Sequence, residues 1–236
     1  MDPESLFSLA FDPPSGPPVS TIVDATDLRG GLLHANIAGA TDPLVLKEYS
    51  VRLVVQCAAE LSGRVQDVAT FAERIAGHAA GSITVLDVPM DDDDVFDIEP
   101  ALSVALPQIA RMRASGGTVL VNCAAGRSRS AAVILAHLMD SEAGPDGAPF
   151  TLAKAWVYLR SKRPLAYPNL GFTVQLMARE PEASIAPDML RRHYGYMLLF
   201  DDDVEGQDWV SGKMAAVRQR LARLGSPGNP AAVIST

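Results

Sequence analysis

The stretch Val119-Leu120-Val121-Asn122-Cys123-Ala124-Ala125-Gly126-Arg127-Ser128-Arg129-Ser130 constrains the fold of this chain more than any other. Its first part, within Thr118–Val121 (TVLV), is an unbroken apolar run rich in β-branched residues, the pattern of a strand buried on both faces. The run ends at a cysteine, passes through small residues, and enters a helical pattern running from Ser128/Ser130 to Met139. A strand that cannot show either face to water needs parallel neighbours beside it and helices above and below. The segment therefore predicts an α/β fold with a central, mostly parallel β-sheet flanked by helices.

The remaining pattern agrees. A helix over Pro43–Tyr49 precedes the β-branched run Ser50–Cys57 (SVRLVVQC), and Ile83–Val88 (ITVLDV) is a second strand. Between them, Asp67–Ala80 is a helix or an insertion, with Val68, Phe71 and Ile75 at spacings of three and four. After an acidic loop, Met90–Glu99, a helix carries Leu102, Leu106, Ile109 and Met112 on one face and ends at Gly116-Gly117. Pro107 lacks an N–H and should kink or shorten it. Further helices are expected over Thr151–Arg160 and Leu170–Arg179.

The flanks differ in texture. Residues 1–20 hold Pro3, Pro13, Pro14, Pro17 and Pro18 with no periodicity and suggest a tail. Residues 182–236 pass from the aromatic stretch His193–Phe200 through the acidic Asp201–Asp208 to a helix near Gly212–Leu224, striped by Met214, Val217, Leu221 and Leu224. That stripe is expected to pack on the domain or a partner. The 236 residues suit one domain of roughly 150 to 180 residues with added material, or two small domains. The first division gives a tail 1–20, a central domain 21–181 and an extension 182–236.

Composition limits the function. With 20 Lys+Arg against 28 Asp+Glu the net charge is −8, too acidic a surface for general affinity toward DNA, RNA or anionic lipid. The two cysteines, Cys57 and Cys123, make neither a disulfide framework nor a Cys-rich zinc site. The four histidines, His34, His78, His137 and His193, show no ligand spacing and are expected to be structural or on the surface. No metal and no cofactor is expected. The longest apolar run, Ala131–Met139, is far short of a membrane span. Met1-Asp2-Pro3-Glu4 lacks a basic stretch before an apolar one, so a secretory signal is not expected, and an intracellular, reducing compartment is the default: the cytoplasm, with the nucleus as alternative.

The chemistry lies in the loop after the buried strand. Ala124, Ala125 and Gly126 are small enough for successive backbone N–H groups to converge on one concavity, and the following helix adds its partial positive charge. Arg127 and Ser128 complete the loop, and Arg129 offers a planar fork of donors that matches two phosphoryl oxygens. Cys123 stands at the base, where the same dipoles favour a thiolate; cysteines so placed reach a pKa of about 3.5–7.5.

These residues resemble the signature of the cysteine-based protein phosphatases, His-Cys-x-x-Gly-x-x-Arg-Ser/Thr, in its dual-specificity branch: Cys123, Gly126, Arg129 and Ser130 are in register. The resemblance extends over roughly 22–180. Gly31-Leu32-Leu33 with Ala38, Leu44, Tyr49 and Val54-Val55 resembles the family's opening segment, and Arg163-Pro164, Pro168-Asn169, Gly171-Phe172 and Gln175-Leu176 its closing one. It implies Cys123 as nucleophile, Arg129 and the amides of residues 124–129 as the substrate cradle, and Ser130 as hydrogen-bond donor to the departing thiolate. Ser130 could equally cap the helix. It also implies a carboxylic acid after an Ile/Val-Pro pair. Here Val88-Pro89 leads into Asp91–Asp94, and Asp92, third after the proline, is favoured, with Asp91 and Asp93 as alternatives.

One departure stands out: Asn122 occupies the place of the signature histidine. Asparagine can hydrogen-bond the backbone but cannot become cationic, so a slower enzyme with a less depressed thiol pKa is expected. Arg127 lines the pocket rim or faces solvent. Asn169 fastens the signature loop through its amide, as the resemblance implies, or forms a turn after Pro168. Cys57, at a strand end, is expected to be a small buried hydrophobe, with a redox partner for Cys123 as the alternative. The expected activity is hydrolysis of phosphotyrosine and phosphoserine/threonine on phosphorylated proteins. The alternatives are a phosphoinositide or other non-protein phosphatase, and a weak or inactive phospho-binding pseudophosphatase. No nucleic acid and no stable membrane insertion are expected among its partners.

Overall fold

The computed structural model describes residues 17–26, 29–61, 83–180 and the single positions 65, 215 and 219. The expected segments 1–16, 67–80 and most of 182–236 lie outside the described residues. Five strands form one sheet: β1 (Val19–Val23), β2 (Leu32–Ala35), β3 (Val51–Ala58), β4 (Thr84–Met90) and β5 (Thr118–Asn122), in the spatial order β1-β2-β5-β3-β4. Only β1 runs antiparallel to its neighbour; the other pairings are parallel. Val19 and Ser20, grouped with the tail by composition, are the first residues of β1.

The last strand in sequence is the middle one in space. β5 pairs with β2 on one side and β3 on the other, and Val119–Asn122 are fully buried. Its unbroken apolar run is what such a position requires. β3 starts at Val51, one residue late, because Ser50 adopts a left-handed φ of 49° as the chain turns out of the preceding helix. β4 runs on past Val88 to Met90, through Pro89. It is an edge strand, where a residue without an N–H can be tolerated.

Among the described residues six helices have defined bounds: α1 (Ile37–Ala40), which the sequence pattern did not announce, and α2 (Pro43–Glu48), α3 (Glu99–Ala114), α4 (Arg129–Ser141), α5 (Leu152–Lys162) and α6 (Leu170–Ala178), which follow it. Asn36, Asp42, Thr151 and Asn169 cap α1, α2, α5 and α6 through their side chains. α3 continues through Pro107 as one helix from Glu99 to Ala114. Ser103 and Pro107 both lie on the exposed side, where a carbonyl lacking its helical partner can be hydrated. Its deepest stripe is Ala101, Leu102, Ala105, Ile109 and Arg113; Leu106 and Met112 are only half-buried.

The sheet separates two clusters. One face carries α1 and α2 over Leu33, Val51, Val54 and Leu120; the other carries α3–α6 over Leu32, Val55, Val119 and Val121. Helix α4 is buried from Arg129 to Leu138 because sheet and helices enclose it on all sides. No helix among the described residues is long and apolar enough to cross a membrane.

Candidate active site

β5 delivers Cys123 to the carboxyl end of the sheet, and the loop of residues 123–128 turns into α4. Three contacts hold the loop from outside. Ile37 N donates to Ala124 O at 3.1 Å, Arg163 Nε to Gly126 O at 2.9 Å, and Tyr167 N to Arg127 O at 2.7 Å. Because a trans peptide sets its N–H opposite its C=O, three carbonyls drawn outward turn the amides of Ala125, Arg127 and Ser128 inward. Gly126 has φ +63°, and a Cβ there would stand 2.6 Å from both Ala35 O and Arg163 Nη2. Only glycine fits. Ala125 and Arg127 are exposed at the mouth, so Arg127 faces solvent.

Cys123 is buried, at 1% exposure, and its sulfur accepts a hydrogen bond from Ser130 Oγ at 3.1 Å. The cap position of α4 belongs to Ser128, so Ser130 lies inside the helix with its hydroxyl on the sulfur. Ser130 Oγ also lies 2.8 Å from Nε2 of His34, a fully buried residue of β2. Burial, reinforced by the charge of Arg163, holds the His34 ring well below the usual imidazole pKa. Cys57 is buried and free; burial, then the charge of Cys123, pushes its thiol well up. It packs in the same core cluster as Cys123.

Arg129 is almost buried and is gripped by Glu60, just beyond β3: Nη1 donates to Oε1 at 2.9 Å and to Oε2 at 2.8 Å. Burial alone would lower the guanidinium pKa, but the Glu60 hydrogen bonds and the charges of Cys123, Glu60 and Asp92 hold it above its ordinary value. The same contact holds the Glu60 carboxyl low. Asp92 Oδ2 lies 3.6 Å from Arg129 Nε, an ion pair by distance but not a hydrogen bond.

Of the four adjacent aspartates, Asp92 is the one tied to the loop. Its Oδ1 accepts from Ser128 Oγ at 2.5 Å and from Asn169 Nδ2 at 3.0 Å. Asp93 caps its own turn at Val95 N, and Asp94 reaches Gly171 N. Gly171 is required there, since a Cβ would come within 1.6 Å of Asp94 O. Asn169 joins the loop, the acid and the last helix. Its side-chain amide holds Asp92 and caps α6 at Phe172 N, while its backbone N–H reaches the signature loop at Ser128 Oγ.

Asn122 ends β5, one residue before the cysteine. It is fully buried, and neither Oδ1 nor Nδ2 has a hydrogen-bond partner, so it does not hold the backbone. It sits in register with Ala35 and Gln56, at the end of the sheet face covered by α1 and α2.

His34 and Glu60 carried no local signal, because each meets the loop only through the strand order. Arg163 was legible only within the closing pattern. Among the described residues no cluster of His, Cys, Asp and Glu could hold a metal.

Comparison with known proteins agrees with this geometry. A family model for the dual specificity phosphatase catalytic domain matches residues 36–182. Dual specificity protein phosphatase 1 of Arabidopsis thaliana is 30% identical over 159 residues, spanning 67% of this chain and 70% of that protein. Human dual specificity phosphatase 28 is 41% identical over 107 residues, 44% of this chain and 56% of that one. The crystal structure of human DUSP28 superposes with a TM-score of 0.51 at 31% identity, covering 70% of this chain and 94% of that one. Human tyrosine phosphatase-like serine/threonine/tyrosine-interacting protein superposes at 0.53 with 21% identity, a likeness of fold alone; 68% of this chain and 93% of that one are covered.

Proposed function

This chain belongs to the dual-specificity branch of the cysteine-based protein phosphatases, and from that premise we propose that it hydrolyses phosphotyrosine and phosphoserine/threonine on proteins through a phosphocysteine at Cys123. The Cys123 thiolate attacks phosphorus in line while the amides of the 124–129 loop, those of Ala125, Arg127 and Ser128 turned inward, and Arg129 take up the equatorial oxygens. Protonated Asp92 gives its proton to the departing phenolate or alkoxide. Water, deprotonated by Asp92, then attacks the phosphocysteine. The S–P bond breaks, its electron pair stays on sulfur, and Ser130 Oγ–H stabilises the released thiolate. Arg129 and the backbone supply the positive charge at the transition state.

The observation that carries this reading is the convergence on one loop of a buried cysteine under a serine hydroxyl at 3.1 Å and an arginine beside Asp92 at 3.6 Å. We assign the catalytic unit to residues 21–181, extended to Val19 where β1 begins, with the tail and the extension from residue 182 outside it. A nucleophile that must stay a thiolate, and two free cysteines, favour a reducing compartment, the cytoplasm or nucleus.

The test is hydrolysis of an aryl phosphate by wild type and Cys123→Ser. Loss of turnover in the variant is expected, and equal rates would remove the nucleophile assignment. Phosphopeptides and phosphoinositides, compared by kcat/KM, then separate the proposed substrate from the lipid alternative.

A further inference from the structure

His34, Ser130 and Cys123 form a single buried row, with exposures of 0%, 0% and 1%. His34 sits on β2 in register with Val121, two residues before the cysteine, so the sheet holds the ring against the start of α4. Nε2 lies 2.8 Å from Ser130 Oγ, and Oγ donates to Cys123 Sγ at 3.1 Å. Nδ1 has no hydrogen-bond partner.

Proton counting orders the row. The serine hydroxyl has one hydrogen. If that hydrogen is given to sulfur, Oγ can only accept from the ring, so Nε2 carries the proton and Nδ1 is a bare lone pair. In the reverse direction Oγ–H points at Nε2, the orphan Nδ1 becomes a buried N–H, and a hydrogen lies between oxygen and sulfur only if the sulfur is a thiol. Orphaned buried N–H groups are the rarer fault in folded proteins. The ring stays neutral because burial and Arg163 disfavour its cation. A thiolate that is to receive the Ser130 hydrogen thus requires Nε2–H, whereas Nδ1–H leaves the hydroxyl on the ring and the sulfur without that donor.

We propose that His34 is a positioning residue for the nucleophile, its Nε2–H turning the Ser130 hydroxyl toward Cys123 so that the sulfur anion meets a hydrogen-bond donor both before attack and on release from phosphorus. The inference rests on Cys123 as the nucleophile. It places the support on β2, while Asn122, at the position of the signature histidine, makes no hydrogen bond with its side chain. Aligned donors polarise one another in a dry interior, so the ring strengthens the hydroxyl as a donor. The titratable and charged groups facing the row are Cys57 from β3, Arg129 from α4, and Arg163 from the end of α5. Glu60 and Asp92 pair with Arg129 beside it.

The experiment follows iodoacetamide alkylation of Cys123 against pH, site-localised by mass spectrometry, in full-length wild type, His34→Leu and His34→Gln. The leucine variant is expected to move the midpoint up by about one pH unit and to lower kcat for an aryl phosphate about tenfold, the worth of one hydrogen bond to a charged group. Its inhibition by inorganic phosphate should be unchanged. His34→Gln, which can still present an N–H to Ser130, should recover most of both losses.

A leucine variant with the wild-type midpoint and kcat would overturn the proposal, as would leucine and glutamine variants equally impaired. Should the leucine variant fail to fold, nitrogen NMR of the wild-type ring decides: Nε2–H with the thiolate is expected, and Nδ1–H there would overturn it. Neither alkylation nor the tautomer needs turnover. Failure of the nucleophile reading, seen as an active Cys123→Ser, is therefore distinguishable from failure of the role given to His34.

Discussion

Replacing Glu60 by alanine sets two effects against each other, and the structure says which should win. The carboxylate holds Arg129 Nη1 at 2.8 and 2.9 Å, and the remaining contacts of the guanidinium are weaker, Met90 O at 3.4 Å and Asp92 at 3.6 Å. A hydrogen bond to a charged group contributes about 1.5–3 kcal/mol when protected. The Glu60 side chain is 52% exposed, however, which reduces the pair to about 1 kcal/mol. Spent on aiming the guanidinium, that amount corresponds to a roughly five- to tenfold fall in kcat.

Removing a negative charge from beside an anion site acts oppositely and should tighten ground-state binding of phosphate. The two effects separate in steady-state kinetics: kcat falls, while the inhibition constant for inorganic phosphate falls or stays level. The melting temperature should barely move. If Glu60→Ala binds phosphate more tightly with kcat unchanged, Glu60 merely dilutes the positive charge of Arg129, and the orientation argument is wrong. The pH dependence has a definite sign. Arg129 lowers the Glu60 carboxyl, so the pair is intact above the ordinary carboxylate range, and its contribution is lost as pH falls through the lowered value.

Asp92→Asn should lower kcat by about 10²–10⁴ and remove one limb of the pH–rate profile, whereas Asp91→Asn and Asp93→Asn leave both intact; the reverse pattern would move the acid to a neighbour. Gly126→Ala forces a left-handed alanine against the backbone of Ala35 and should destabilise the fold by at least about 2 kcal/mol in urea melts, with turnover lost alongside. Asn122→Leu replaces a buried amide that has no partner by an apolar group of similar volume, and should leave the urea midpoint level or raised; a clear loss would mean the amide is hydrogen-bonded in solution. Burial lowers His34 and His137 below 6.5. Below that pH the unfolded chain binds protons that these rings refuse, so stability should fall by up to about 1.4 kcal/mol per pH unit for each ring, and flat urea midpoints there would refute this.

Local patterns and motifs were legible because their physics is local. The run Thr118–Val121 names a central strand, and the periodic apolar runs name the helices. The order Cys123, Gly126, Arg129, Ser130 carries the oxyanion loop because the cysteine, the left-handed turn and the helix start lie within one short segment. Chain-neighbour chemistry survives without coordinates.

What the linear order could not contain is which strand lies beside which. β5 comes last in sequence yet stands between β2 and β3, and that placement brings His34, from far upstream, onto Ser130 and sets Glu60 on Arg129. Spacing after Pro89 already favoured Asp92, but the groups that hold its carboxylate, Ser128 and Asn169, reach it from two later segments. Sequence alone therefore pointed to the proposed attacking group and its cradle, since these depend on adjacency. Only the tertiary structure decided what aims them, because hydrogen bonds and ion pairs act over a few ångströms of space with no regard for separation along the chain.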